Sequence, residues 1–283
     1  MIENKSLNLN CSYFLAFVLL LTGYCHSAFE APLDIQGSLH QGGLVIGTVP
    51  TGHQIIYQGT ALKLTPGGQF LLGFGRDAPA QVTVSIIDAD AKQRVETLSI
   101  ATRDYKIQRI EGVPQKTVTP SETDLKRIRS DVSLVRQARK PITDRVDFLG
   151  GFQEPDIGPI TGVYGSQRFY NGIPKSPHYG VDYAAPEGTL VLAPAGGQVT
   201  LAHDDLFYSG GTLIIDHGHG LSSTFLHLSE ILVQKDQVVA PGQAIGKVGS
   251  TGRATGPHLD WRMNWRDQRV DPKLVLQALP RTK

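Results

Sequence analysis

The chain has 283 residues, of which 40% are hydrophobic and 19% charged, with a formal net charge of +1. That length suits one or two globular domains of ordinary core size. The near-neutral balance, with no long basic run in the body of the chain, gives no footing for a nucleic-acid or anionic-membrane partner.

At the N-terminus Lys5 precedes the apolar run 13–21, which is followed by Gly23 and small residues up to Ser27-Ala28. The pattern predicts a secretory signal peptide over residues 1–28, because the run is too short for a comfortable membrane span. Tyr24 before Cys25 disfavours a lipidated cysteine. Cys11 and Cys25 are the only two cysteines, so the expected mature chain is exported without disulfides and without thiolate ligands for a metal.

Residues 29–104 read as short strands at 44–46, 53–57, 70–72, 82–86 and 95–100, with turns at Pro66-Gly67-Gly68 and Asp88-Ala89-Asp90. The spacing predicts a small β-sandwich-like domain. His40 and His53 stand alone there and read as solvated or hydrogen-bonded histidines. Residues 105–158 hold a connecting helix and a linker. Ser121 is the expected N-cap with Asp124 three residues on, and Leu125, Ile128, Val132, Val135 and Ala138 fall at helical spacing until Pro141. The basic residues Lys126, Arg127, Arg129, Arg136, Arg139 and Lys140 read as a solvated face. The stretch 141–158, with Gly150-Gly151 and Pro155, is expected to lie as a loop across the following domain.

From 159 to 283 the texture is all-β and rich in glycine, with strands expected at 189–192, 198–201, 212–215 and 244–248, and a short final helix opened by Asp271-Pro272. The fold class is therefore mainly β. No helix carries the two histidines and glutamate of a helical zinc-protease motif, so any hydrolytic site must be assembled on strands.

The chemistry concentrates in three stretches of this last region. In His178-Tyr179-Gly180-Val181-Asp182 an imidazole and a carboxylate share one strand face, with a glycine between them that leaves room for an ion. His258-Leu259-Asp260 repeats the same-face pairing, and His227 ends the run Thr224-Phe225-Leu226. Each residue alone also fits a hydrogen-bonded strand pair or a satisfied core histidine; together they point to a divalent metal. His217-Gly218-His219-Gly220 has ligand-like spacing, but its glycines make a turn. Asp216 and His203 read as surface or turn residues.

In order and spacing, His178 to Tyr183, Phe225 to Ser229, Ser250-Thr251-Gly252 and Gly256 to Trp261 resemble the lysostaphin-like zinc endopeptidases that cut peptidoglycan cross-bridges. The resemblance spans about residues 159–272. The region 42–138 also resembles, more weakly, the β domain and helix that precede the peptidase in some exported bacterial members. The resemblance implies a zinc cofactor held by His178 and Asp182, with His227 and His258 handling protons and charge at the water and the scissile amide. The family's third ligand is the second histidine of a His-x-His motif, and here Asp260 stands in that place. A carboxylate can bind zinc there, but two carboxylates cancel the ion's charge and imply a milder Lewis acid.

Zinc-assisted hydrolysis of peptidoglycan stem peptides in the periplasm or cell envelope is thus the expected activity, with no stable membrane span after signal cleavage. The alternative is a degenerate scaffold, marked by Asp260, that binds peptidoglycan or activates another hydrolase. Arg168, Tyr170 and Asn171, just upstream of His178, read either as groove-lining or as ordinary loop residues. The linker reads either as a plain spacer or as a gate, with Glu154 or Asp156 approaching the metal's open position as a weak fourth ligand.

Overall fold

The computed structural model describes residue 1, residues 33–155 and residues 158–281; the rest of the expected leader and Asp156 lie outside them. None of the described helices is long and apolar enough to cross a membrane.

The first β region is built from two antiparallel sheets. Asp34–Gly37, Leu44–Thr48 and Gln69–Gly73 form one; Thr60–Ala61, Gln54–Tyr57, Gln81–Ile87 and Gln93–Ser99 form the other. In Gln81–Ile87 the side chains of Val82, Val84 and Ile86 are buried and alternate with more exposed residues, the period of two that a half-buried strand requires. The inner faces meet through Leu44, Phe70, Leu72, Ile55, Val84 and Ile86. The same apolar cluster continues without a break into Val181, Phe225, Trp261, Met263 and Trp265. Tyr57 lies 6.1 Å from Trp265, centroid to centroid. The two β regions therefore share one core.

The helix Glu122–Arg139 has the capping box expected at its start, with the Ser121 side chain accepting from the Asp124 backbone and the Asp124 side chain accepting from Ser121 in return. Val135 and Ala138 pack on Leu201, Leu206 and Ile214, so the helix lies on one face of the large sheet. Its basic side is not wholly solvated: Arg139 donates to the Thr224 hydroxyl at 2.7 Å.

That large sheet is antiparallel, in the order Val238–Val239, Gly197–Leu206, Gly210–Gly218, Leu221–Leu228, His258–Trp265, Gly180–Ala184 and Ile160–Gly162, with Gln268–Val270 paired to His258–Trp265. Every residue of Gly210–Gly218 and Leu221–Leu228 is buried, because the shared core covers one face while the helix and loops cover much of the other. Register places Asp182 and Leu226 on either side of Asp260, and Thr224 beside Arg262. The helix Pro272–Ala278 closes the chain, its N-terminus capped by the Asp271 carboxylate. Ile107–Ile110 pairs in parallel with Gln167–Tyr170.

Candidate metal centre

Three of the expected residues meet at the middle of the sheet. His178, immediately before the strand Gly180–Ala184, and Asp182 and Asp260, opposite one another on adjacent strands, each offer a ligand atom within 4.8 Å of the others. His178 and Asp260 are 1% exposed and Asp182 is 6% exposed. Both ring nitrogens of His178 and Oδ1 of Asp182 are buried without a hydrogen-bond partner, although His178 Nε2 stands 3.1 Å from that oxygen. Buried polar atoms are nearly always paired. The unpaired imidazole of His178 and the open oxygen of Asp182 converge with the Asp260 carboxylate, and one imidazole with two carboxylates matches what zinc takes from a protein; the residues present fit that ion.

Each carboxylate is held from behind by an arginine. Arg168 donates to Asp182 Oδ2. Arg262 grips Asp260 with both arms, at 2.9 and 3.1 Å from Nε and 2.6 Å from Nη2. Burial and the Asp260 charge push the Asp182 carboxyl up, but His178 and Arg168 outweigh them and hold it below the usual carboxylate range. Burial likewise pushes Asp260 up, and Arg262 with His178 holds it far below. Burial works against the Arg262 charge, and Asp260 overrides it, so the guanidinium stays charged. Both carboxylates are ionised. Gly180 serves this pair: a Cβ there would meet Asp260 Oδ1 at 2.4 Å and Arg262 Cγ at 2.6 Å. The space read from the sequence as room for an ion is filled by those two side chains.

His227 and His258 form the second element of the site, with ring centroids 4.7 Å apart. His227 Nδ1 donates to the Thr251 carbonyl at 2.7 Å, and His258 Nδ1 to the Gly256 carbonyl at 2.8 Å. A carbonyl can only accept, so each ring carries its proton on Nδ1 and leaves Nε2 open. Burial lowers the His227 pKa to about 4, with His258 adding repulsion, while Asp260 and Thr251 oppose the shift. His227 is therefore neutral at pH 7. It also holds a positive φ of 63°, the strained backbone that persists where surrounding structure over-determines it. Arg168, Tyr170, Asp182, His227, Arg253 and His258 line a cleft of about 360 Å³.

The other expectations divide. Arg168 and Tyr170 line the cleft, whereas Asn171 exchanges hydrogen bonds with the Val113 backbone. Glu154 is not a gate at the metal: its Oε1 accepts from Tyr183 and from Lys273. The linker packs on the body instead, with Phe148 against His219 at 5.1 Å and Phe152 edge-on to His217 at 4.9 Å. His217 is satisfied on both nitrogens, by the Gly196 carbonyl and the Ser223 hydroxyl. Asp216 is buried rather than on the surface, accepting from Thr143 and from the Gly218 backbone. Sequence reasoning missed Arg262 and Arg253. Strand periodicity could have found Arg262, which shares a face with Asp260 two residues earlier; Arg253 sits in a loop and carries no such signal.

The model of peptidase family M23 matches residues 176–272. The chain is 43% identical over 96 residues to the peptidoglycan DD-endopeptidase ShyA of Vibrio cholerae, a match covering 34% of this chain and 22% of ShyA. It is 44% identical over 103 residues to the DD-carboxypeptidase/endopeptidase Mpg of Neisseria meningitidis, covering 36% and 23% respectively. The chain thus spans less than a quarter of the length of these curated relatives. A Pseudomonas aeruginosa crystal structure described as peptidase M23 is similar over 86% of this chain and 97% of its own, at 28% identity and a TM-score of 0.65.

Proposed function

We propose that this chain, whose residues 176–272 form a domain of peptidase family M23, is a zinc metalloendopeptidase that hydrolyses peptide cross-links of bacterial peptidoglycan. The observation that carries the reading is the cluster of unpaired buried donors on His178 and Asp182 beside Asp260 and the His227–His258 pair. The relatives named as peptidoglycan endopeptidases supply the substrate class, and with it a place in the cell envelope, on its periplasmic side.

His178, Asp182 and Asp260 would hold the ion, which when bound polarises water and the scissile carbonyl. The chain's own residues do the rest. Nε2 of one histidine accepts the proton of the attacking water as the carbon–oxygen bond forms, and returns it to the amine nitrogen as the carbon–nitrogen bond breaks. The other ring, having taken a proton from solvent at Nε2 to become an imidazolium, donates that hydrogen bond to the oxyanion. Two carboxylates alone would cancel the charge of zinc, but Arg168 and Arg262 stand behind them and restore a positive field. That offsets the milder Lewis acidity expected from the ligand types.

A second reading has one observation in its favour: Arg262 satisfies both oxygens of Asp260 without any metal, as a scaffold that had lost catalysis would require. Metal analysis of the purified protein, with digestion of isolated peptidoglycan, separates the two. The enzyme holds one equivalent of zinc, loses it in His178→Ala, and releases free amines from the wall. A protein that binds the wall but takes up no zinc is the scaffold.

A further inference from the structure

A second cavity, of about 730 Å³, opens on the same sheet face between the helix Glu122–Arg139 and the end of the strand His258–Trp265. Four arginines line it, Arg136, Arg139, Arg266 and Arg269, together with Lys140. Among the described residues none of these five cations has a carboxylate within ion-pair distance, although Asp131 and Asp267 stand in the lining. Asp131 accepts from the Phe207 backbone. Nε of Arg139 and Nε of Arg266 are buried without partners, and so is Oδ1 of Asn264, a residue 4% exposed. Asp267 partly offsets the charge of Arg266, and Asp260 that of Arg269, but Arg139 meets only other cations; a buried cation without a counter-charge is costly and marks a place where an anion completes the site. Burial and the neighbouring Arg269 and Arg262 charges pull the Arg139 pKa down to about 9, in keeping with an uncompensated positive field.

We infer that this cavity is a carboxylate subsite, in which Arg139 and its neighbours hold the free C-terminal carboxylate of a peptide whose reacting bond lies at the metal centre. The inference rests on the proposed peptidase reading and adds to it a requirement on the substrate's end. The chemistry of the lining selects a peptide terminus over a bare inorganic anion. The arginines take the carboxylate in a planar, forked geometry. Asn264 Oδ1 takes an amide N–H, while Ile128, Val135 and Leu206 face a small apolar side chain.

Spacing agrees. Arg139 bonds Thr224, which is paired with Arg262, two residues beyond Asp260. Asn264 lies two residues further along the same strand face, so the subsite begins about 7 Å and ends about 13 Å from Asp260 at the rise of a β-strand. An extended peptide covers that span with about two to four residues. The two cavities adjoin: Arg253, from the metal-side cleft, stacks at 4.3 Å on Tyr208, which lines the second cavity.

The test titrates a peptidoglycan-stem tetrapeptide and its C-terminal amide into the metal-free full chain, where nothing is hydrolysed. The acid should bind at least about tenfold more tightly, the scale of one charge-assisted pair. Arg139→Gln and, separately, Arg269→Gln should erase that preference while keeping the fold by circular dichroism and an unchanged zinc content. Inorganic phosphate should displace the acid form only at far higher concentration. Equal affinity for acid and amide, a preference that survives in both variants, or phosphate binding without any preference between the peptides, each overturns the subsite. The two proposals fail differently. Zinc-loaded protein that cleaves nothing yet prefers the acid form removes the peptidase reading alone, whereas hydrolysis with equal KM for acid and amide removes the subsite alone.

Discussion

Two histidine pairs lie on three neighbouring strands of the large sheet and the turn between the first two, and they have opposite fates. At one end His217 has both nitrogens bonded and its ring edge-on to Phe152, while His219 lies against Phe148. At the other, His227 and His258 are each bonded through Nδ1 alone and turn a free Nε2 to the cleft. The residue type is the same and the burial of His217 and His227 is similar. What separates His217 from His227 and His258 is whether the second nitrogen is already spoken for; His219, whose buried Nδ1 has no partner, is set apart by its place in the turn away from the cleft. The carboxylates follow the same rule: Asp216 is saturated by local donors, while Asp182 keeps Oδ1 open.

Arg262→Gln should have the largest effect, because it strips the counter-charge from a fully buried Asp260. The metal-free protein should lose about 3–5 kcal/mol of stability, the scale for leaving one partner of a buried pair unpaired. Zinc should restore part of it, and urea melts with and without zinc measure both. Unchanged melts would mean that Asp260 does not depend on its arginine.

His227→Ala and His258→Ala should each keep zinc and lose about a hundredfold in peptidoglycan hydrolysis, the scale of removing a general base or an oxyanion donor. His217→Ala is the control that sharpens the contrast. It should cost about 1–3 kcal/mol of stability by orphaning the Ser223 hydroxyl, with turnover per folded molecule unchanged. Loss of turnover in His217→Ala, at full folding, would erase the distinction between the pairs.

The gentlest probe is pH. His227 has its pKa lowered from 6.5 to about 4 in the folded state, so between these values the unfolded chain binds the extra proton. Stability of the metal-free protein should therefore fall as pH drops from 6.5 toward 4, by no more than about 1.4 kcal/mol per pH unit from this group. His227→Gln should flatten that part of the profile.

Much of this was legible in the chain. Period-two alternation exposed Val82, Val84 and Ile86, and the Ser121–Asp124 box announced its helix, because both depend on neighbours in sequence. The three-residue metal cluster was legible for a related reason: Asp182 and Asp260 each lie on a strand at even spacing from a histidine. Long-range partners were not. Nothing local tells that Glu154 meets Tyr183 and Lys273 instead of the cleft, or that Arg139 leaves a solvated helix face for Thr224. The shared core of the two β regions was hidden as well, since glycine and proline turns punctuate both stretches alike.

The parallel pairing of Ile107–Ile110 with Gln167–Tyr170 sets the size of the piece that can be transplanted. Gln108 lies beside Arg168 in that register and accepts from its Nε at 3.2 Å, so the wall that carries Arg168 and Tyr170 borrows its outer strand from some sixty residues upstream. Fragments cut near residue 159 would lose this splint together with Phe148 and Phe152. A graft or chimera intended to carry the cleft intact has to begin ahead of Ile107, well outside the stretch that family resemblance marks.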